Sequence, residues 1–190
     1  MALNALVDSL KTADLLPSPV FPADFSPSAT LSIAFPSKNI ENGTLVRVSE
    51  VKQQPTLSIS LSTPPAPSQA YTFMLIDPDA PTPADPKFAY WRHWVVSHIV
   101  PGTHADATQS GTTLTQYLAP GPKDESGPHR YLFLLFEEPE GFKLEKSDVG
   151  GEEFVDRRSF KVGEFVGRHG LRVVGVQWMR GVGDGWVGEE

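Results

Sequence analysis

The chain reads as one α+β domain, mainly β and built from antiparallel strands, and three features of its sequence predict this. Apolar residues alternate with polar ones in several short runs, other short runs are apolar on both faces, and 18 prolines are spread through 190 residues. Alternation with a period of two marks a strand that buries one face, whereas a run apolar on both faces suits a strand covered on both sides. Proline lacks an amide donor and clashes with the preceding helical turn, so a mostly helical chain is excluded.

The elements follow in order. Residues 2–16 carry Leu3, Leu6, Val7 and Leu10 at helical spacing, which predicts an amphipathic helix ended by Pro17 and Pro19. A proline-punctuated arm then runs to residue 28. Leu31, Ile33 and Phe35 share one face of a strand, Asn42-Gly43 forms a turn, and residues 45–48 and the Leu57, Ile59, Leu61 alternation supply further strands. YTFMLID (71–77), WVVSHIV (94–100) and YLFLLFE (131–137) have the length and aromatic content of buried central strands. Val162, Phe165, Val166 and His169 are spaced for a helix face, with Asp156 as the N-cap and Gly170 as the stop. LRVVGVQWM (171–179) reads as a last strand, and the glycine-rich residues 181–190 as a flexible tail. No repeat or linker divides the chain, so residues 1–190 are expected to form a single domain, with 1–28 as its N-terminal helix and arm.

Composition removes several function classes. A chain of this length buries about 70% of its extended surface on folding and needs no covalent staple. Cysteine is absent, which rules out disulfides, thiolate nucleophiles and iron–sulfur clusters. Lys and Arg number 16 against 23 Asp and Glu, and the formal charge of -7 argues against nucleic acid or an acidic membrane held by bulk attraction, while leaving room for one local anion site. No segment approaches the roughly 18 apolar residues of a membrane span, and Asp8 and Lys11 interrupt the N-terminal apolar stretch. A monomeric, cytoplasmic protein is expected.

Polar residues at the ends of buried strands are candidates for chemistry, because the strand fixes where they point. Three places qualify: Asp77 and Asp79 in DPDAP, Trp91 and His93 in YWRHW, and His129 and Tyr131 in GPHRY. On the residues alone, a buried hydrogen-bonded pair ending a strand is the simpler reading of His129 and Tyr131. Asp before Pro commonly initiates a turn, which makes Asp79 the more structural of the two carboxylates. His93, His98 and His104 invite a metal, but His93 and His98 are five positions apart on a strand and so face opposite ways, and His104 lies beyond Pro101-Gly102; no metal or other cofactor is expected. Arg92 and Arg130 alternate with the histidines and are expected to point away from them, solvated or covering the sheet.

DPDAP (77–81), DPKFAYWRHWVV (85–96), PGP (120–122), GPHRYLFLLFE (127–137) and DRRSFKVGEF (156–165) together resemble the phosphatidylethanolamine-binding proteins, the family also called Raf kinase inhibitor proteins. The likeness spans about residues 29–180 in consistent order. DPDAP alone is a weak signature; DPDAP followed by WxHW and then GPHRY is a strong one. SGPHRYLFLL and the N-terminal helix are similar to the fungal carboxypeptidase Y inhibitor branch in particular. The resemblance implies a large central antiparallel sheet, a second smaller sheet and peripheral helices. It also implies a small anion-binding pocket lined by Asp77, Trp91, His93, Gly121, Pro122, His129 and Tyr131, with Asp79 and Pro81 shaping the floor. In such a pocket Asp77 is expected to fix the tautomer of His93 and favour its charged form.

The implied function is non-catalytic: a regulatory protein that holds phosphate, phosphoethanolamine or a phospholipid headgroup and acts on a serine carboxypeptidase or a protein kinase. The alternative is a hydrolase using Asp77 and His93 as an acid/base pair, although no cysteine or GxSxG supplies a nucleophile. The chain departs from the family pattern at Ala119, at Lys123 and at Ser97-His98. Its C-terminus lacks the tyrosine-bearing helix of the mammalian branch, which leaves one pocket wall unassigned, with Trp186 a candidate.

Overall fold

In the computed structural model, which describes residues 2–188, nine strands join through backbone hydrogen bonds. They are β1 (Ala29–Phe35), β2 (Lys38–Ile40), β3 (Thr44–Arg47), β4 (Thr56–Leu61), β5 (Tyr71–Asp77), β6 (Trp91–Ile99), β7 (Thr112–Thr115), β8 (His129–Glu137) and β9 (Arg172–Val182). Four α-helical segments accompany them: α1 (Ala2–Thr12), α2 (Lys146–Val149), α3 (Phe154–Arg157) and α4 (Val162–His169). The architecture is α+β and mainly β, as the sequence predicts.

The large unit, in the order β9-β8-β5-β6-β7, is antiparallel throughout. β1, β2 and β4 form a smaller antiparallel group, linked to β9 through the single register pair Ala29↔Gly175. The approach is close, since a Cβ on Gly175 would lie 3.1 Å from both the Cβ and the carbonyl oxygen of Ala29, tighter than an ordinary contact. β1 and β3 run parallel to β9, so the complete sheet is mixed rather than purely antiparallel.

Both faces of the central strands are covered, which explains their uninterrupted apolar character. Met74, Ile76, Leu132, Leu134 and Phe136 pack under α1, the arm and α4. Tyr71, Phe73, Leu75, Tyr131, Phe133 and Leu135 pack against Leu31, Ile33, Phe35 and Leu57 of the smaller group. Every residue of β5 is buried.

Several local expectations are corrected. The first helix stops at Thr12 because Asp14 takes a left-handed conformation (φ 52) and the Leu15 amide donates back to the Leu10 carbonyl at 2.8 Å; the prolines lie beyond this closure. Asn42-Gly43 turns the chain as expected, and the strands on either side of it part: β2 pairs with β1, whereas β3 crosses to β9. Gly43 (φ +73) lies under Trp178, whose ring would be 3.0 Å from an added Cβ. Asp156 belongs to α3; the residue before α4 is Lys161, and Gly170 ends that helix in the left-handed region as expected.

Residues 181–186 are not a free tail. Gly181 and Val182 end β9, and Arg47 donates to the carbonyls of Asp184 (3.0 Å) and Trp186 (3.3 Å). The Asp184 carboxylate accepts from the Ser49 amide at 2.9 Å, and that of Asp124 from the Gly185 amide at 3.0 Å. Residues 1, 189 and 190, which the sequence assigns to the arm and the tail, lie outside the described residues. Among the described residues no helix is long and apolar enough to cross a membrane.

Leu10 is fully buried beneath α1. Leu10→Ala should lower the unfolding free energy by about 2–5 kcal/mol in urea denaturation, and a loss below about 1 kcal/mol would show that the helix is not part of the cooperative core.

Candidate functional site

β5 lies between β8 and β6 and runs opposite to both, so its C-terminal end meets the starts of its two neighbours. Asp77 is the last residue of β5, Trp91 the first of β6 and His129 the first of β8. The three motifs, separated in sequence, are therefore brought to one edge of the sheet. Leu75 pairs with Trp94 and Ile76 with Arg92, which makes His93 the extra residue of a β-bulge. The bulge turns His93 toward the Tyr131 side of the sheet, where Trp94 also packs.

These residues surround a cavity of about 550 Å³. Asp77, Pro81, Trp91, His93, Gly121, Pro122, His129 and Tyr131 all line it. Asp79 does not. Its carboxylate is buried and accepts from Arg130, through the amide at 2.7 Å, Nε at 2.9 Å and Nη2 at 2.6 Å. Arg130 in turn donates to the Ala13 carbonyl at 2.7 Å, fastening the arm to the floor of the site.

A slightly larger cavity, of about 620 Å³, lies between α1 and the β1–β2 edge, but it contains no histidine and no aromatic residue. Convergent polar and aromatic groups single out the smaller one.

The two histidines are oriented by different acceptors. His129 Nδ1 is 2.9 Å from Asp77 Oδ2, and Asp77 Oδ1 accepts from the Asp79 amide at 2.6 Å. His93 Nδ1 is 2.7 Å from the Leu118 carbonyl oxygen. Carbonyls and carboxylates only accept, so both Nδ1 atoms carry the hydrogen. The expected Asp77–His93 pair is thus corrected: the carboxylate bonds His129 of β8, and a loop carbonyl fixes the tautomer of His93. Burial lowers the pKa of His93; the Asp77 charge and the Leu118 bond oppose this, and the Arg157 charge adds to it. Burial, reinforced by the Asp77 and Asp79 charges, raises the pKa of Tyr131 well above its ordinary value and keeps it a phenol.

Neither arginine beside the histidines lines the cavity, and both are tied into the protein rather than freely solvated. Arg92 is buried on the opposite face, donates to Thr115 Oγ1 at 3.0 Å and to the Gly151 carbonyl, and lies 5.1 Å from the Phe160 ring centre. Burial and the nearby charge of Arg157 lower its pKa to about 10. Arg130 is held by Asp79 as described.

Two contributors are not singled out from the sequence, although Arg157 lies within DRRSFKVGEF. Arg157 is buried and donates to the carbonyls of His93 (3.0 Å), Gln116 (3.1 Å) and Glu152 (2.8 Å), fixing α3 against β6. Phe154, on the same turn of helix, lines the cavity. Its ring is 4.8 Å from that of Trp91 and 5.8 Å from that of Phe88, and it is 56% exposed at the mouth. Trp186 does not line the cavity. An exposed aromatic in a one-turn helix shows no hydrophobic period by which a sequence could flag it.

The three histidines considered for a metal do not converge. His98 sits at the far end of β6 with Nδ1 3.3 Å from Glu138, and His104 is in an exposed turn.

Comparison with known proteins bears on this geometry. The family model described as phosphatidylethanolamine-binding protein matches residues 25–174. The chain is 34% identical over 149 residues to Protein MOTHER of FT and TFL1 homolog 2 of Oryza sativa subsp. japonica, covering 77% of each. In fold it resembles carboxypeptidase Y inhibitor complexed with its cognate proteinase, with a TM-score of 0.81 at 22% identity over 96% of this chain and 97% of that one. It also resembles phosphatidylethanolamine-binding protein from Plasmodium vivax, with a TM-score of 0.71 at 23% identity over 94% of this chain and 97% of that one.

The depressed pKa of His93 carries a pH signature. The folded protein binds fewer protons at this site than the unfolded chain, whose histidine has the ordinary value of 6.5. Its contribution to stability is complete above that value and is lost as pH falls from there toward the folded value. Urea unfolding at about pH 8, 6.5 and 5 should show falling stability, and His93→Asn should flatten the slope; an unchanged slope would assign the effect to other groups.

Proposed function

The chain belongs to the phosphatidylethanolamine-binding protein family, and from that membership we propose that its pocket holds a phosphorylated small group, phosphoethanolamine or a phospholipid headgroup, and that the protein regulates a partner enzyme without catalysis of its own. The observation that carries this reading is His129. Its Nε2 is buried without a hydrogen-bond partner among the described residues, at a cavity large enough for a small ligand. Buried polar atoms are seldom left unmatched, and one beside a cavity marks where a ligand group is met. Trp91 Nε1, also buried and unpartnered, adds a second such atom. Phe88, Trp91 and Phe154 offer an aromatic wall for an ethanolamine or the start of an alkyl chain.

The hydrolase reading gains no support. Asp77 is paired with His129 rather than with His93, and the Ser126 hydroxyl donates to the Lys123 carbonyl at 2.8 Å instead of standing against an imidazole. For the partner we favour a serine carboxypeptidase over a kinase. The likeness to carboxypeptidase Y inhibitor, seen in a complex with its cognate proteinase, extends over 96% of the chain.

Phosphoethanolamine at millimolar concentration should shift the imidazole NMR signals of His93 and His129, and His129→Ala should weaken binding about tenfold or more. Unshifted signals would sink the pocket reading. Carboxypeptidase activity measured with the intact protein and after removal of residues 1–20 tests the partner: inhibition by the intact chain that is lost on truncation is expected, and no inhibition by either form would turn the search to kinases.

A further inference from the structure

We propose that the pocket takes phosphate monoesters in preference to phosphodiesters, and that a monoester is bound together with one proton shared between its oxygens and an imidazole Nε2; the inference rests on the phosphate reading above. Both histidines are held by Nδ1, one on the Asp77 carboxylate and one on the Leu118 carbonyl. Each neutral ring therefore presents Nε2 as a lone pair. No protein group among the described residues engages His129 Nε2. With both rings neutral, a fully ionised anion entering this pocket meets two acceptors, and acceptors do not bind acceptors without a hydrogen between them.

The surrounding charges do not remove the mismatch. Asp77, from the end of β5, places a negative charge 2.9 Å from His129, which repels an incoming anion while favouring a proton on that ring. Behind His93, the Arg157 guanidinium is directed at backbone carbonyls, and Arg130 of β8 is turned away onto Asp79. On the rim, Lys123 and Glu125 are 3.8 Å apart and offset each other. Tyr131 on β8 remains a neutral donor. Burial, the leading cause of the lowered pKa of His93, keeps that ring uncharged in the empty pocket.

A monoester resolves this in either of two equivalent ways. As the monoanion it carries a P–OH that donates to Nε2, and as the dianion it provides enough negative charge to draw a proton from solvent onto the ring. Its second ionisation lies near pH 6, so either form is accessible at neutral pH. A diester has no P–OH at neutral pH, bears a single charge, and has only two unsubstituted oxygens with which to stabilise an imidazolium.

Isothermal titration calorimetry on the unaltered full chain tests this with phosphoethanolamine as the monoester and glycerophosphoethanolamine as the diester, each at about pH 7 in two buffers of different ionisation enthalpy. The monoester should bind about tenfold or more tightly, and its affinity should fall as pH is raised. The buffer dependence of its heat should report net proton uptake. Equal affinities, a preference for the diester, or a monoester preference with no proton taken up would each overturn the inference while leaving the phosphate site standing. Absence of binding by both ligands would overturn the phosphate reading and this inference with it.

Discussion

The structure depends on one constraint: β5 and β8 are buried on both faces, so polar groups on and beside them must find partners within the protein. The two ends of the sheet meet this demand differently. At one end the buried Glu138 carboxylate accepts from Thr72 Oγ1 at 2.6 Å and from the His98 amide at 2.8 Å. At the other end Asp77 accepts from His129 and from the Asp79 amide, yet the far side of the His129 ring is left unmatched. The far end has a buried carboxylate of its own to collect donors, whereas the unmatched His129 nitrogen belongs to a residue lining a cavity that can admit a ligand.

Two arginines on the β6–β8 side turn this edge into a rigid frame. Burying a guanidinium costs several kcal/mol unless its donors are met, and both are met by fixed groups. Arg157 collects carbonyls from β6, from the segment after β7 and from beside α3, while Arg130 joins the Asp79 carboxylate to the arm. Because Phe154 and Arg157 are three residues apart on one helical turn, the clamp that holds α3 also sets the aromatic wall. Positive charge is thus present beside the cavity but committed to architecture, which leaves the imidazoles as the groups that answer to a ligand.

Much of this was legible in the sequence. YTFMLID and YLFLLFE announce doubly buried strands because no charged residue interrupts them before Asp77 and Glu137. The motifs at 77, 91 and 129 gather at one cavity because each ends or begins a central strand. The partner of Asp77 was not legible: β5 is flanked by both β6 and β8, and the choice between two histidines is made by the geometry of three strands at once. β2, β7, α2 and α3 are three or four residues long, too short for a period to emerge. The fixed position of residues 181–186 was missed because Arg47, which holds them, lies more than a hundred positions away in the chain.

The bulge at His93 has a consequence for how such a protein can change. On an unbroken strand, side-chain direction is locked to register, so shifting one pocket residue by a position would also turn Trp94, Val95 and Val96 over and expose the core. The extra residue at His93 acts as a slip joint. Residues on its pocket side face inward or outward independently of those on its core side, and the binding chemistry of the edge is free to drift under selection while the interior keeps its packing.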